Sequence, residues 1–183
     1  MRLFTAIELP PAVRGNLSCL LERLRPAARL RWSPPENLHL TTKFIGEWPE
    51  QRLDELKDTL RAVTGFKPIP VALRGLGFFP NPRAPRVFWV GVEAGAALAE
   101  LARQTDQALA RLGVPAETRP FSPHLTLARI KEPAPLGGLQ KAIAGLQSLE
   151  FGEFLAESFW LYLSELRPGG SVYTKLTEFR FSA

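Results

Sequence analysis

The feature that most constrains this chain is a repeated tripeptide. Its two histidines, His39 and His124, both stand in the string His-Leu-Thr, as His39-Leu40-Thr41 and His124-Leu125-Thr126. Each copy closes the same run of patterns: an alternating stretch, an amphipathic helical stretch, a proline-bearing turn, then a strand that opens with histidine. Phe4 precedes His39 by 39 − 4 = 35 residues and Phe88 precedes His124 by 124 − 88 = 36. A duplication that packs as two pseudo-symmetric lobes is expected from that agreement.

The patterns within each half are legible. Residues 2–8 alternate as a strand. Pro10 and Pro11 can open a helix, because proline is tolerated in a first turn, and Val13, Leu17, Leu20, Leu21 and Leu24 then form its apolar stripe. A brief strand at 30–33, a turn at 34–37 and a strand at 38–45 follow, then a helix at 49–63. Residues 69–79 read as extended, broken at Gly75 and Gly77. In the second half, strands are expected at 86–92 and 124–130, with a helix between them at 96–112 and Gly113 as its stop. That helix would turn Leu98, Leu101, Thr105, Ala108 and Leu112 inward. A short helix at 139–146 and strands at 150–155, 158–166 and 172–181 complete the chain, with Gly169 and Gly170 making the last turn. The order gives an α+β fold: antiparallel sheets lining a central cleft, helices packed outside, one two-lobed domain over residues 1–183.

Side chains on a strand alternate between faces. His39 and Thr41 therefore share one face with Leu40 behind them, and His124, Leu125 and Thr126 repeat the arrangement. Two such strands across a cleft present two imidazoles and two hydroxyls to one centre. Imidazole exchanges a proton near neutral pH, and a threonine hydroxyl can donate to a phosphate oxygen. Together they suit the opening of a cyclic phosphodiester, with one imidazole deprotonating water and the other protonating the departing ribose oxygen.

Other chemistries find less support. Neither motif has a Cys, Asp or Glu at metal-ligand spacing, and zinc sites generally use three or four protein ligands, so no metal and no cofactor is expected. Cys19, the one cysteine, falls on the apolar side of its helix and reads as core packing; a single cysteine forms no internal disulfide and fits a reducing compartment. No apolar run approaches the about 20 residues that span a bilayer, and Glu8 and Pro10 interrupt any leader, so a cytoplasmic monomer without membrane contact or an obligate protein partner is expected. The formal net charge of +5 favours an anionic partner such as nucleic acid.

With these motifs the chain resembles the two-histidine (2H) phosphoesterase superfamily, and within it the RNA 2′,3′-cyclic phosphodiesterase family, also called 2′-5′ RNA ligase. The resemblance runs nearly end to end. It is carried by Arg2-Leu3-Phe4-Thr5-Ala6-Ile7-Glu8, by Arg31-Trp32-Ser33-Pro34-Pro35-Glu36-Asn37 leading into His39, by Gly75-Leu76-Gly77-Phe78-Phe79-Pro80, by Arg119-Pro120-Phe121-Ser122-Pro123 leading into His124, and by Ser164-Glu165-Leu166. The family usually has leucine where this chain has Thr42. The resemblance implies hydrolysis of an RNA 2′,3′-cyclic phosphate to a 2′-phosphate, and an ability to make or reverse a 2′-5′ linkage. It implies His124 as general base and His39 as general acid, Thr41, Thr126 and Arg129 on phosphate, and Phe44 stacked on a base. Phe44 and Arg129 are each five residues past their histidine, so on a flat strand they would face away; a bulge must re-aim them. A nucleotide-binding module on the same fold is the alternative, since fold does not fix activity.

Overall fold

The alternating and helical patterns fold as read, with small shifts at the ends. The computed structural model describes residues 1–182; Ala183, the last residue of the expected domain, lies outside the described residues. The elements in chain order are β1 (Arg2–Glu8), α1 (Pro11–Leu24), β2 (Arg31–Trp32), β3 (His39–Glu47), α2 (Leu53–Arg61), β4 (Ile69–Phe79), β5 (Val87–Glu93), α3 (Gly95–Ala110), β6 (His124–Arg129), α4 (Gly137–Ala144), β7 (Glu150–Ala156), β8 (Ser158–Arg167) and β9 (Gly170–Arg180). Proline occupies the first turn of α1, and Val13, Leu17, Leu20, Leu21 and Leu24 are its buried stripe. Gly113, at φ +94°, follows the end of α3, in the left-handed region where glycine carries no steric cost.

Three details depart from the sequence expectation. Residues 69–79 form one continuous strand: Gly75, at φ +77°, lies at an irregularity in the pairing with β5, and Gly77 sits within the ladder opposite Trp89. The buried face of α3 is Leu98, Leu101, Ala102, Thr105 and Leu109, so the stripe drifts by a residue from Ala108 and Leu112, as a period of 3.6 requires over four turns. Cys19 is exposed. It stands two residues from both Leu17 and Leu21, about 200° around the helix from each, which takes it off the buried face.

Two antiparallel sheets carry the strands, one in the order β3-β1-β8-β9 and the other in the order β2-β6-β5-β4-β7. Counted outward from its histidine strand, each sheet runs through the same succession: histidine strand, the strand that opens the half, then two more. The sheets do not coincide with the halves of the sequence. Strand β4 of the first half joins β5 and β6, while β8 and β9 of the second half join β1 and β3. Each half thus completes the other's sheet.

One continuous apolar core runs through both lobes, from Leu3, Ile7 and Leu40 to Phe88, Leu125, Leu127 and Phe159. A buried ion pair also crosses between them. Lys43 of β3, its side chain 1% exposed, places Nζ 2.7 Å from Asp106 of α3, 3.1 Å from Glu117 and 2.8 Å from the Pro115 carbonyl. A buried ammonium is tolerated only with its donors met in this way. Strand β3 packs beside β6, which brings the two histidine strands to the seam between the sheets.

Candidate active site

The register of the strands decides which side chains reach the cleft. In the first sheet His39 pairs with Glu8, Leu40 with Ile7 and Thr41 with Ala6. Thr42 is then skipped, and pairing resumes with Lys43 opposite Thr5 and Phe44 opposite Phe4, Ile45 being skipped between Phe44 and Gly46. Paired residues share a face, so the bulge at Thr42 returns Phe44 to the side of His39 and Thr41. In the second sheet His124 pairs with Gly91, Leu125 with Val90 and Thr126 with Trp89; Leu127 is skipped, and Ala128 meets Phe88 while Arg129 meets Val87. The bulge falls three residues after histidine in both strands, and it re-aims Phe44 and Arg129 alike. All six residues named from the sequence therefore lie on the two cleft faces.

The same register corrects one sequence argument. Phe4 and Phe88 are not equivalent. Phe4 lies opposite Phe44 and Val87 opposite Arg129, so Phe4 matches Val87, and the buried Phe88 faces the core. The Phe4 and Phe88 spacings agreed because a strand has several apolar positions, and only pairing says which of them share a face.

Thr42 has its own explanation. Its hydroxyl lies 2.7 Å from that of Thr5, and both residues are buried. Each hydroxyl thereby satisfies the other. The matched bulge residue in the second lobe is the buried Leu127, which needs no partner.

The two imidazoles are held alike on one edge and differently on the other. His39 Nδ1 lies 2.6 Å from the Asn37 carbonyl and His124 Nδ1 lies 2.8 Å from the Ser122 carbonyl, two residues upstream in each case. A carbonyl only accepts, so Nδ1 carries the proton in the neutral ring and Nε2 presents its lone pair. Nε2 of His39 lies 2.8 Å from the Thr41 hydroxyl, which donates to it. Nε2 of His124 has no partner among the described residues.

Their surroundings differ more. The His39 ring is walled by Phe4, Tyr173 and Tyr162, with ring centroids at 4.8, 5.2 and 6.2 Å. Burial lowers its pKa from 6.5 to about 4; the positive charges of Arg14 and Arg129 push the same way, and the Asn37 carbonyl opposes them. Arg129 stands on the second lobe, so its charge reaches His39 from across the seam. Burial also pushes the Tyr162 phenol up to about 12, with Glu8 adding to the effect and Arg14 opposing it. His124 touches one aromatic ring edge-on, Phe79 at 5.0 Å, and borders an open groove.

Sequence reasoning missed the aromatic walls of His39, the Arg14 charge and the two carbonyls that fix the rings. Phe4 carried a signal, since it opens the first strand of the resemblance. The carbonyls carried none, because every residue has one. Among the described residues, no group of three or more His, Cys, Asp and Glu side chains is placed to hold a metal ion, and no helix is long and apolar enough to cross a membrane.

The sequence profile of the family described as LigT like Phosphoesterase matches the chain twice, over residues 7–89 and 90–173. The chain belongs to the LigT-like phosphoesterase family. Among its relatives, a protein named RNA 2′,3′-cyclic phosphodiesterase from Methanothermobacter thermautotrophicus is 36% identical over 98% of this chain and 98% of its own length. A protein of the same name from Thermus thermophilus is 40% identical over 98% of this chain and 89% of its own. A solved structure of a Thermus thermophilus protein superposes with a TM-score of 0.82 at 37% identity, covering 98% of this chain and 97% of that one. Escherichia coli LigT complexed with 3′-AMP gives a TM-score of 0.78 at 26% identity, covering 100% and 98%. The double match supports the duplication read from the two motifs.

Proposed function

We propose that this chain hydrolyses RNA 2′,3′-cyclic phosphate ends to 2′-phosphates, with His39 and His124 as the acid–base pair and without a metal. The observation that carries the reading is the paired bulge. It gives each cleft face a histidine, a threonine and one further recognition residue, on a chain whose relatives are named for this activity.

In this reading His124 is the base. Its Nε2 lone pair is open, and its Nδ1–H is held by Ser122. It takes a proton from water, which attacks phosphorus as the P–O3′ bond breaks. His39 gives its proton to the leaving O3′. The ligand-free site holds His39 neutral, because burial lowers its pKa to about 4. An anionic phosphate bound beside the ring favours the charged form, so substrate itself arms the acid. When Nε2 takes up that proton, Thr41 no longer donates to the ring and its hydroxyl turns to phosphate, as Thr126 does from the other lobe. Arg129 supplies the standing positive charge. Phe44, 58% exposed, offers its ring to the terminal base. Ligation by a ribose hydroxyl uses the same steps with an alcohol in place of water.

The test is turnover of a 2′,3′-cyclic mononucleotide before and after exhaustive EDTA treatment. Equal release of the 2′-phosphate is expected. Loss of turnover restored by one divalent ion would remove the metal-free mechanism, and no turnover under any condition favours a binding module.

A further inference from the structure

We infer that the groove beside His124 is a second nucleoside subsite, where Trp89 stacks the base of an incoming nucleoside whose 5′-hydroxyl attacks the cyclic phosphate. The inference rests on the two-histidine reading and its ligation step, and adds to them the residue that seats the acceptor.

The groove holds about 490 Å³, and Leu76, Phe79, Trp89, Gly91 and His124 are among its lining residues. That volume lies within the about 300–1,000 Å³ of small-molecule sites. Its platform is built by a glycine. Trp89 lies opposite Gly77 on β4, and a Cβ at Gly77 would fall 2.2 Å from Cζ2, 2.4 Å from Cη2 and 2.8 Å from Cε2 of the indole. Three ring carbons so near one point place the ring over the Gly77 backbone. Gly77 has no positive φ, so its conformation does not call for glycine; the overlying ring does. The indole therefore rests on the sheet at Gly77, and Trp89 is among the residues that line the groove. The Trp89 Nε1–H is buried without a partner among the described residues. A phenylalanine would fill most of that space without stranding a donor, so packing does not account for the tryptophan. A broad stacking face does, because bases stack on aromatic rings irrespective of sequence.

Phe79 links this platform to the chemistry, 5.1 Å from Trp89 and 5.0 Å from His124 between centroids. An in-line displacement sets attacker and leaving group on opposite sides of phosphorus. The proposed leaving side belongs to His39 and Phe44, so whatever enters beside His124 carries the nucleophile. Water has no use for an aromatic groove; a nucleoside does. The rim selects an uncharged one. Arg74 is matched by Glu93 at 2.8 Å, Glu153 at 2.8 Å and Glu150 at 3.4 Å, one positive charge against three negative, which repels a phosphate. In the step, His124 Nε2 accepts the 5′-hydroxyl proton, the O5′–P bond forms, the P–O3′ bond breaks, and O3′ takes the His39 proton. The product is a 2′-5′ linkage, and no outside reactant is needed.

The experiment supplies 2′,3′-cyclic AMP with either adenosine or methyl ribofuranoside as acceptor, and measures transfer product against 2′-AMP. Both products come from one donor in one reaction, so their ratio is independent of how much protein is folded. Adenosine is expected to capture at least about tenfold more donor than the baseless riboside, and Trp89→Leu to bring the two together, while Trp89→Phe retains most of the preference. Equal capture by the wild type, or a preference unchanged in Trp89→Leu, overturns the subsite. So does a rise in KM for cyclic AMP with the ratio unchanged, which would seat the donor's base there instead. Calorimetric binding of adenosine, lost in Trp89→Leu, tests the subsite apart from turnover: binding without any hydrolysis condemns the two-histidine reading alone, and hydrolysis without binding condemns the subsite alone.

Discussion

His39 and His124 stand at the same register position of matched strands, with Nδ1 fixed by the same kind of carbonyl, yet three aromatic rings wall the first imidazole, while the second meets one ring and borders a groove. The difference comes from the strand next door. Opposite the first motif lie Ala6 and Glu8, and next to His39 the rings of Phe4, Tyr162 and Tyr173. Opposite the second lie Trp89 and Gly91, and the Arg74 backbone carbonyl, 2.3 Å from where a Gly91 Cβ would stand, takes the place of an aromatic wall. Duplication supplied two equal imidazoles, and neighbouring side chains made them unequal. The lesson is that identical motifs can carry unequal imidazoles when only their surroundings change.

The largest test of that asymmetry removes each ring. His39→Ala and His124→Ala are each expected to lower kcat/KM by several orders of magnitude with the fold intact by circular dichroism, since each removes a proton-transfer group worth about 10²–10⁴ and a substrate contact besides. A nucleoside phosphodiester with a leaving group much better than ribose needs little protonation. It is expected to rescue His39→Ala and not His124→Ala. The opposite rescue would exchange the roles of the lobes, and equal rescue would erase the distinction.

Next in size come the hydroxyls. In the proposed mechanism Thr126→Val removes a donor to phosphate, and it is expected to cost roughly ten- to a hundredfold in kcat/KM, the value of one hydrogen bond to a charged group. Thr41→Val is expected to cost a similar factor and also to raise the resting pKa of His39, because the hydroxyl now donates to its Nε2. An NMR titration of both variants separates the lobes: a His39 pKa unmoved by Thr41→Val would mean the hydroxyl does not hold the ring.

The pH dependence of stability sharpens the comparison further. The folded His39 pKa of about 4 lies below its ordinary 6.5, so between those values the unfolded chain binds a proton that the folded chain refuses. The stabilising effect of keeping His39 neutral is whole above pH 6.5 and is lost as pH falls through 4. Urea melts at pH 7 and 4.5 are expected to diverge less in His39→Phe than in the wild type. Equal divergence would show that the enclosed ring is not the source.

The smallest effect lies at the bulge. Thr42→Leu copies the second lobe's Leu127 but strands the Thr5 hydroxyl, and is expected to cost about 1–3 kcal/mol. Thr5→Val with Thr42→Leu removes both hydroxyls and is expected to recover most of it in a double-mutant cycle. A single variant as stable as wild type would mean that the hydroxyl pair contributes nothing.

Much of this molecule can be read from its letters. The strands, α1 and the duplicated motif follow from local periodicity, and His39, Thr41, His124 and Thr126 follow from alternation along one strand. Phe44 and Arg129 were within reach only by resemblance, because an offset of five is decided by a bulge. Cys19 was misplaced by two residues of helical phase. The two cases share a cause: face and phase are cumulative, and one extra or missing residue reverses them.

What the sequence determined by itself is therefore the local grammar: which segments alternate, where the two imidazoles stand, and that the halves repeat. Tertiary structure alone decided that the halves trade strands, that Phe4 matches Val87 and not Phe88, that Trp89 lies across Gly77, and that three rings wall His39 while His124 meets one. The physical reason is range. Alternation and helical period act between neighbours along the chain, whereas register, burial and the charge felt by an imidazole depend on strands more than a hundred residues apart, such as β1 and β8, whose pairing no local pattern encodes.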